Sequence, residues 1–240
     1  MKSDLPKVLH AVCGRPMLAW VLDAVHGAGC ERPIVVIGHD APRVRRTFEH
    51  LDDQVRWVEQ REQLGTGHAV IVCREELASA EGPVLVLAGD GPLVRAETLR
   101  RLLDLHRQAG AACTLATCIM EDPGHHGRIV RDQKGNLAAI VEHLDATPAQ
   151  RAIREVNVSL YCFDASALRE ALPLLKNDNA KKEYYLTDAL AILRAAGRKV
   201  QALPAVPPGE VLSINTLEEL ARVEGLLQSR LSSTAAGSRV

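Results

Sequence analysis

Aromatic side chains are scarce: two Trp, two Phe and three Tyr in 240 residues, 3% of the chain. That argues against the stacking platforms on which proteins bind single-stranded nucleic acid. An excess of one charge is also missing. Lys and Arg number 29 against 30 Asp and Glu, a formal net charge of -1, so no overall field favours nucleic acid or an anionic membrane. Any anionic ligand must be held by a local arrangement. No apolar run approaches the roughly 20 residues needed to span a bilayer. Met1-Lys2-Ser3-Asp4-Leu5-Pro6-Lys7 has no apolar stretch to serve as a signal sequence. Neither a membrane nor a nucleic acid is expected as a partner. No Cys-x-x-Cys pair occurs among Cys13, Cys30, Cys73, Cys113, Cys118 and Cys162. Reduced, buried thiols are therefore favoured over disulfides or a zinc site, and the cytoplasm is the natural compartment.

The remainder is ordinary for a globular chain, with 47% hydrophobic and 25% charged residues. Helical and strand signals alternate. Pro16–Gly29 has helical periodicity, Pro33–Gly38 reads as a buried strand, and Pro42–His50 is helical. A strand follows near Val55–Val58, a helix from Gly67 to about Ala80, and the clearest strand at Pro83–Ala88. Ala96–Gln108 reads as helix and Ala111–Ile119 as strand. After Asp122 the texture changes: Arg128–Arg131 and Leu137–Val141 flank Asp132-Gln133-Lys134-Gly135-Asn136, a hairpin signal. Ile153–Phe163 is a strand, Ala165–Leu175 and Tyr184–Ala196 are helices, Val200–Val206 is a strand, and Leu217–Leu231 closes as a helix. The alternation implies an α/β open sheet, mostly parallel and covered on both faces. Residues 1–231 are expected to form the domain, divided into 1–121 and 122–231, with 232–240 as a frayed tail. Such a sheet normally opens with a strand; this chain opens with a polar loop and a helix, as if one strand late.

Several residues could carry chemistry. Asp90, in Gly89-Asp90-Gly91-Pro92-Leu93, directly follows an apolar strand. Open α/β sheets bind ligands at that edge, and a carboxylate there suits Mg²⁺; a turn-shaping or helix-capping Asp fits the spacing equally. Gln60, Gln63, Gly65 and Thr66 lie in a strand-to-helix loop whose glycines permit close backbone approach and whose glutamines could read a base edge. A bland glycine turn is the alternative. Lys7 alone would be read as solvated. His125-His126 lack further metal ligands nearby, and Glu183–Asp188 fits core packing nearly as well as ligand binding.

In combination, Ser3–His10, Gln63–Ala69, Gly89–Leu93, Ile140–His143 and Glu183–Asp188 occur in a distinctive order. From Ser3 to about Leu227 the chain resembles the uridyltransferase domain of bacterial bifunctional N-acetylglucosamine-1-phosphate uridyltransferases. The resemblance implies a Rossmann-like three-layer sandwich of the nucleotide-diphospho-sugar transferase type, lacking its first strand. Residues 1–121 would then bind nucleotide and 122–231 sugar. It implies transfer from UTP to N-acetylglucosamine 1-phosphate, yielding UDP-N-acetylglucosamine and pyrophosphate, with Mg²⁺ as cofactor. Lys7 then contacts substrate phosphates, and Gln60, Gln63, Gly65 and Thr66 bind uridine. Asp90 and Asn215 hold the metal. Gly127, Glu142 and Asn157 bind sugar, with Glu183, Tyr185 and Thr187 lining its pocket. A homo-oligomer is compatible with it.

The chain also departs from that family. Only Met1 remains of the phosphate loop Leu-x-Ala-Gly-x-Gly-Thr-Arg-Met, His125-His126 stand where Gly-Tyr is usual, and Val158-Ser159 replace Thr-Gly. No hexapeptide repeat of an acetyltransferase half is present. With a central strand missing, the expectation is a poorly folded, inactive product whose native frame starts further upstream. Two other readings stay open: a nucleotidyltransferase for another sugar phosphate, and a non-catalytic binding module that lost the phosphate loop.

Overall fold

The computed structural model describes residues 4–179, 181–212, 214 and 216–237, with 233–237 as backbone only. Two short strands, β1 (Ala11–Val12) and β2 (Arg15–Pro16), pair antiparallel and lead into α1 (Met17–Gly27). Leu18, Val21, Leu22 and Val25 recur at helical spacing and form the buried face of α1. Then come β3 (Ile34–Ile37), α2 (Ala41–Thr47) and β4 (Arg56–Glu59). The single helix expected over Gly67–Ala80 is two, α3 (Thr66–Ile71) and α4 (Arg74–Leu77), broken at Val72-Cys73. The β-branched run Val70-Ile71-Val72 disfavours an unbroken helix.

Next are β5 (Pro83–Leu87), α5 (Ala96–Ala109) and β6 (Cys113–Ile119). The expected hairpin is β7 (Arg128–Arg131) with β8 (Leu137–Val141). Its turn is fixed by Asp132 Oδ1, which accepts from the Lys134 and Asn136 amides, and by Gly135 at φ +80. The chain continues through α6 (Pro148–Arg151), β9 (Glu155–Asp164), α7 (Ala165–Ala171), α8 (Thr187–Ala195) and β10 (Val200–Leu203). It ends in α9 (Leu217–Gly237), six residues longer than the reading to Leu231, so the helical backbone replaces most of the expected frayed tail.

The main sheet has six strands and is mixed. β6 and β10 are parallel, whereas β9 enters antiparallel between β5 and β6. Its strands come from both halves of the chain, so the two halves share one core. α3, α4, α7 and α8 cover one face through Val70, Leu77, Leu168 and Leu190. α1 and α5 cover the other through Val21, Val25, Leu99 and Leu102. This is the three-layer sandwich. α9 packs Val223 and Leu227 against Val12 and Met17.

β3 pairs with β4 in parallel, as a separate two-stranded sheet. Ile34 and Val36 join Val84 and Val86 on one apolar layer, while Val35 packs with α1 residues on the opposite side. Yet no ladder among the described residues joins β3 to β5, and each keeps one unpaired edge. β5 is accordingly half-buried along its whole length despite its apolar sequence.

Candidate active site

Lys7 sits in a short 3-10 turn (Lys7–Leu9) and Asp90 in the turn after β5. Their side chains meet, Lys7 Nζ donating to Asp90 Oδ2 at 2.5 Å, across 83 positions of sequence. Both are partly open to solvent, 37% and 25% exposed. The capping alternative for Asp90 falls away, because α5 begins at Ala96 with Arg95 as its N-cap. Asp90 also lines a cavity of about 70 Å³ with Val158, Ser159 and Glu210. Glu210 was not anticipated from sequence: it is 7% exposed, and its carboxylate accepts from the Arg95 amide at 3.1 Å. Asn215 lies outside the described residues, as does Ser3.

The glutamine–glycine loop closes on itself and on a distant segment. Gln60 is buried at the end of β4, where Nε2 donates to Gly65 O at 3.1 Å and lies 3.0 Å from His68 Nδ1. Gln63 Nε2 donates to Gln60 O at 3.1 Å. Gly65 is required by geometry: its φ is +99, and a Cβ there would lie 2.7 Å from Tyr184 O. The Tyr184 amide donates to Leu64 O and the Gly67 amide to Tyr184 O, both at 2.7 Å. Thr66 Oγ1 accepts from the Leu186 amide at 3.2 Å, and the His68 and Tyr184 rings stack at 6.0 Å. These bonds bring Gln60, Gln63, Gly65 and Thr66 together with Glu183 and the backbone beside Tyr185. Thr187 opens α8 immediately beyond. Only Gly-x-Gly hinted in the sequence that another backbone would approach so closely.

Gly127, Glu142 and Asn157 form a second group. The Asn157 amide donates to Gly127 O at 2.8 Å, and a Cβ on Gly127 would lie 3.3 Å from Glu142 Oε1. Asn157 Nδ2 donates to Tyr161 Oη at 3.2 Å, and its Oδ1 accepts from the Ser159 amide at 2.9 Å. Ser159 holds φ +54, a left-handed conformation that suits glycine better. Burial pushes the Tyr161 hydroxyl up to about 12 against the lowering effect of its Asn157 hydrogen bond, so it stays protonated. The His126 ring is held below its ordinary value mainly by burial. His125 and His143 meet edge to face at 4.9 Å, and burial likewise lowers His143, with help from His125 and Arg128. One apolar cluster containing Ile140, Tyr161, Tyr184 and Leu186 backs both groups.

Residues 1–184 match the MobA-like NTP transferase domain family. The bifunctional protein GlmU of Alkaliphilus metalliredigens (strain QYMF) is 45% identical over 231 residues, 96% of this chain and 50% of that protein. The GlmU of Pelotomaculum thermopropionicum is 47% identical over 231 residues, with the same shares of each chain. The chain spans about half the length of the curated relatives it matches. Among solved structures, UDP-glucose pyrophosphorylase complexed with UDP-glucose superposes with a TM-score of 0.72, over 94% of this chain and 91% of that one, at 15% identity. That likeness bears on the fold alone.

Proposed function

Because this chain belongs to the MobA-like NTP transferase family, we propose that it transfers the uridylyl group of UTP to N-acetylglucosamine 1-phosphate. The products are UDP-N-acetylglucosamine, a cell-envelope precursor made in the cytoplasm, and pyrophosphate. The observation that carries the reading is the meeting of Lys7 with Asp90 at the carboxyl edge of β5. A cation already rests on that carboxylate, and its partial exposure leaves room for phosphates and water. Among the described residues no group of three or more His, Cys, Asp or Glu gathers to cage an ion. This suits Mg²⁺, a hard ion bound through one or two carboxylates with substrate phosphates completing its shell. Asp90, with Asn215, would hold it. When bound, the ion offsets phosphate charge and polarises the phosphorus–oxygen bonds under attack.

A phosphate oxygen of the sugar phosphate attacks the α-phosphorus of UTP, and the bond to the departing pyrophosphate breaks. The nucleophile is already anionic, so no general base is needed, and positioning and charge neutralisation supply the catalysis. Lys7 offsets charge growing on the phosphates. Gln60 and Gln63 present amides beside the close-packed Gly65-Thr66 backbone, which favours a small pyrimidine over a purine. Glu142 accepts from a sugar hydroxyl or the acetamido N–H. Asn157, pinned by Tyr161 and Ser159, keeps one amide hydrogen and one oxygen lone pair for the sugar. Glu183, Tyr185 and Thr187 would line the boundary between the base and sugar regions.

The test is pyrophosphate release by the whole chain with Mg²⁺, UTP or ATP, and a panel of sugar 1-phosphates. Release with UTP and N-acetylglucosamine 1-phosphate is expected. Preference for another sugar or equal use of ATP would replace the substrate assignment. Binding of UDP-N-acetylglucosamine without any release would make the chain a binding module.

A further inference from the structure

Arg128, the first residue of β7, is 2% exposed. Its guanidinium is turned onto backbone. Nε donates to Arg151 O at 3.2 Å, Nη2 to Gly124 O at 2.9 Å and Nη1 to His126 O. Nη2 also lies 3.5 Å from His143 Nδ1. Among the described residues no carboxylate pairs with it. Burying a cation without a counter-charge is costly, and the planar fork recovers that cost through carbonyls drawn from two separate segments.

Those segments are α6 and the turn 122–127, which ends at Gly127. The gripped carbonyl of His126 directly precedes Gly127, whose own carbonyl receives the Asn157 amide at 2.8 Å. Gly127 faces the Glu142 carboxylate closely enough that a Cβ would come within 3.3 Å of it. The guanidinium therefore fixes the turn, the turn fixes Gly127, and Gly127 sets the spacing between Glu142 and Asn157.

We propose that Arg128 is the positioning residue of the sugar subsite, controlling affinity for the acetamido-sugar half of the substrate without touching it. This rests on the sugar-nucleotide reading above. Lysine preserves the charge, but a single ammonium cannot span three diverging carbonyls.

In the whole chain, R128K is expected to raise KM for N-acetylglucosamine 1-phosphate about tenfold, a loss of about 1.4 kcal/mol of sugar binding. KM for UTP and kcat at saturating sugar should stay within about twofold, the pattern of lost ground-state binding. In R128A, millimolar guanidinium should restore the sugar KM, whereas ammonium should not. A merely structural arginine gives a different pattern: a smaller folded fraction lowers kcat and leaves both KM values alone. That pattern, or equal weakening of both substrates, overturns the proposal. Calorimetric binding of UDP-N-acetylglucosamine and of UTP provides a readout independent of turnover. If the unaltered chain binds UTP but no UDP-sugar, the sugar reading fails and this inference with it. If it binds both and R128K binds both unchanged, the inference alone fails.

Discussion

Replacing Asp90 by Asn separates a functional carboxylate from a structural one, because the two roles differ by orders of magnitude in what they cost. The substitution keeps the volume and removes one charge. Its structural effect is bounded by the Lys7–Asp90 pair, whose side chains are 37% and 25% exposed. A pair this open to water is worth about 0.2–1 kcal/mol. At about 2.1 cal/mol/K per residue, a chain of this length unfolds with an entropy near 500 cal/mol/K. The loss therefore lowers Tm by about 2 °C at most. If Asp90 instead holds a divalent ion against the reacting phosphates, its loss removes electrostatic stabilisation concentrated in the transition state, and kcat should fall by about 10²–10³ or more. Scanning calorimetry and pyrophosphate release, run on the same preparation with Mg²⁺ present, read the two quantities. A variant with activity within about tenfold of the unaltered chain would sink the metal assignment. A Tm drop of 10 °C or more, about 5 kcal/mol on the same entropy, would show that the turn needs the charge to fold.

Three further outcomes are expected. E155Q should destabilise the fold by about 2–4 kcal/mol in chemical denaturation, since Glu155 accepts two bonds from Arg131 at 2.6 and 2.7 Å and one from Thr117 at 2.5 Å. Burial alone would raise its pKa, but the Arg131 and Thr117 bonds outweigh burial and hold it below the ordinary value. The stabilisation is thus complete above the unfolded pKa of about 4.3 and is lost as pH falls through the lower folded value; an unchanged acid slope in E155Q would refute that. G65A should weaken UTP binding and cost about 1–3 kcal/mol of stability, because it adds a Cβ at φ +99 against Tyr184 O; normal UTP affinity would contradict the close-packed loop. Amides on the unpaired edges of β3 and β5 should exchange with deuterium faster than those of β6 and β9; equal protection would mean the gap is closed in solution.

The sequence exposed what depends on local period and turn chemistry. Val84-Leu85-Val86-Leu87 reads as the clearest strand in the chain, and Asp132 through Asn136 declared the hairpin. Motif order named the residues of the proposed site. It did not disclose their partners: Lys7 and Asp90 lie 83 positions apart, and nothing local to either residue names the other. The entry of β9 between β5 and β6 was hidden for the same reason. An antiparallel strand and a parallel one have the same alternation, and only the returning hairpin before β9 distinguishes them.

The deeper omission concerns buried charge. Composition-based reading treats an isolated arginine or glutamate as solvated, because most are. Arg128 and Glu210 are 2% and 7% exposed, and each is compensated by main chain, three carbonyls in one case and in the other the Arg95 amide, joined by the Arg95 guanidinium at 3.8 Å. Backbone partners have no side-chain identity, so no residue pattern can announce them. Such compensation arises where irregular chain must be held still, since loops leave carbonyls and amides without helix or ladder partners. Both residues accordingly sit at loops bordering the proposed site: Arg128 holds the turn before the sugar group, and Glu210 closes the cavity beside Asp90. The side chains proposed to meet substrate were legible as motifs because their chemistry is specific. The ones that keep those loops in place became visible only once the backbone had been traced around them.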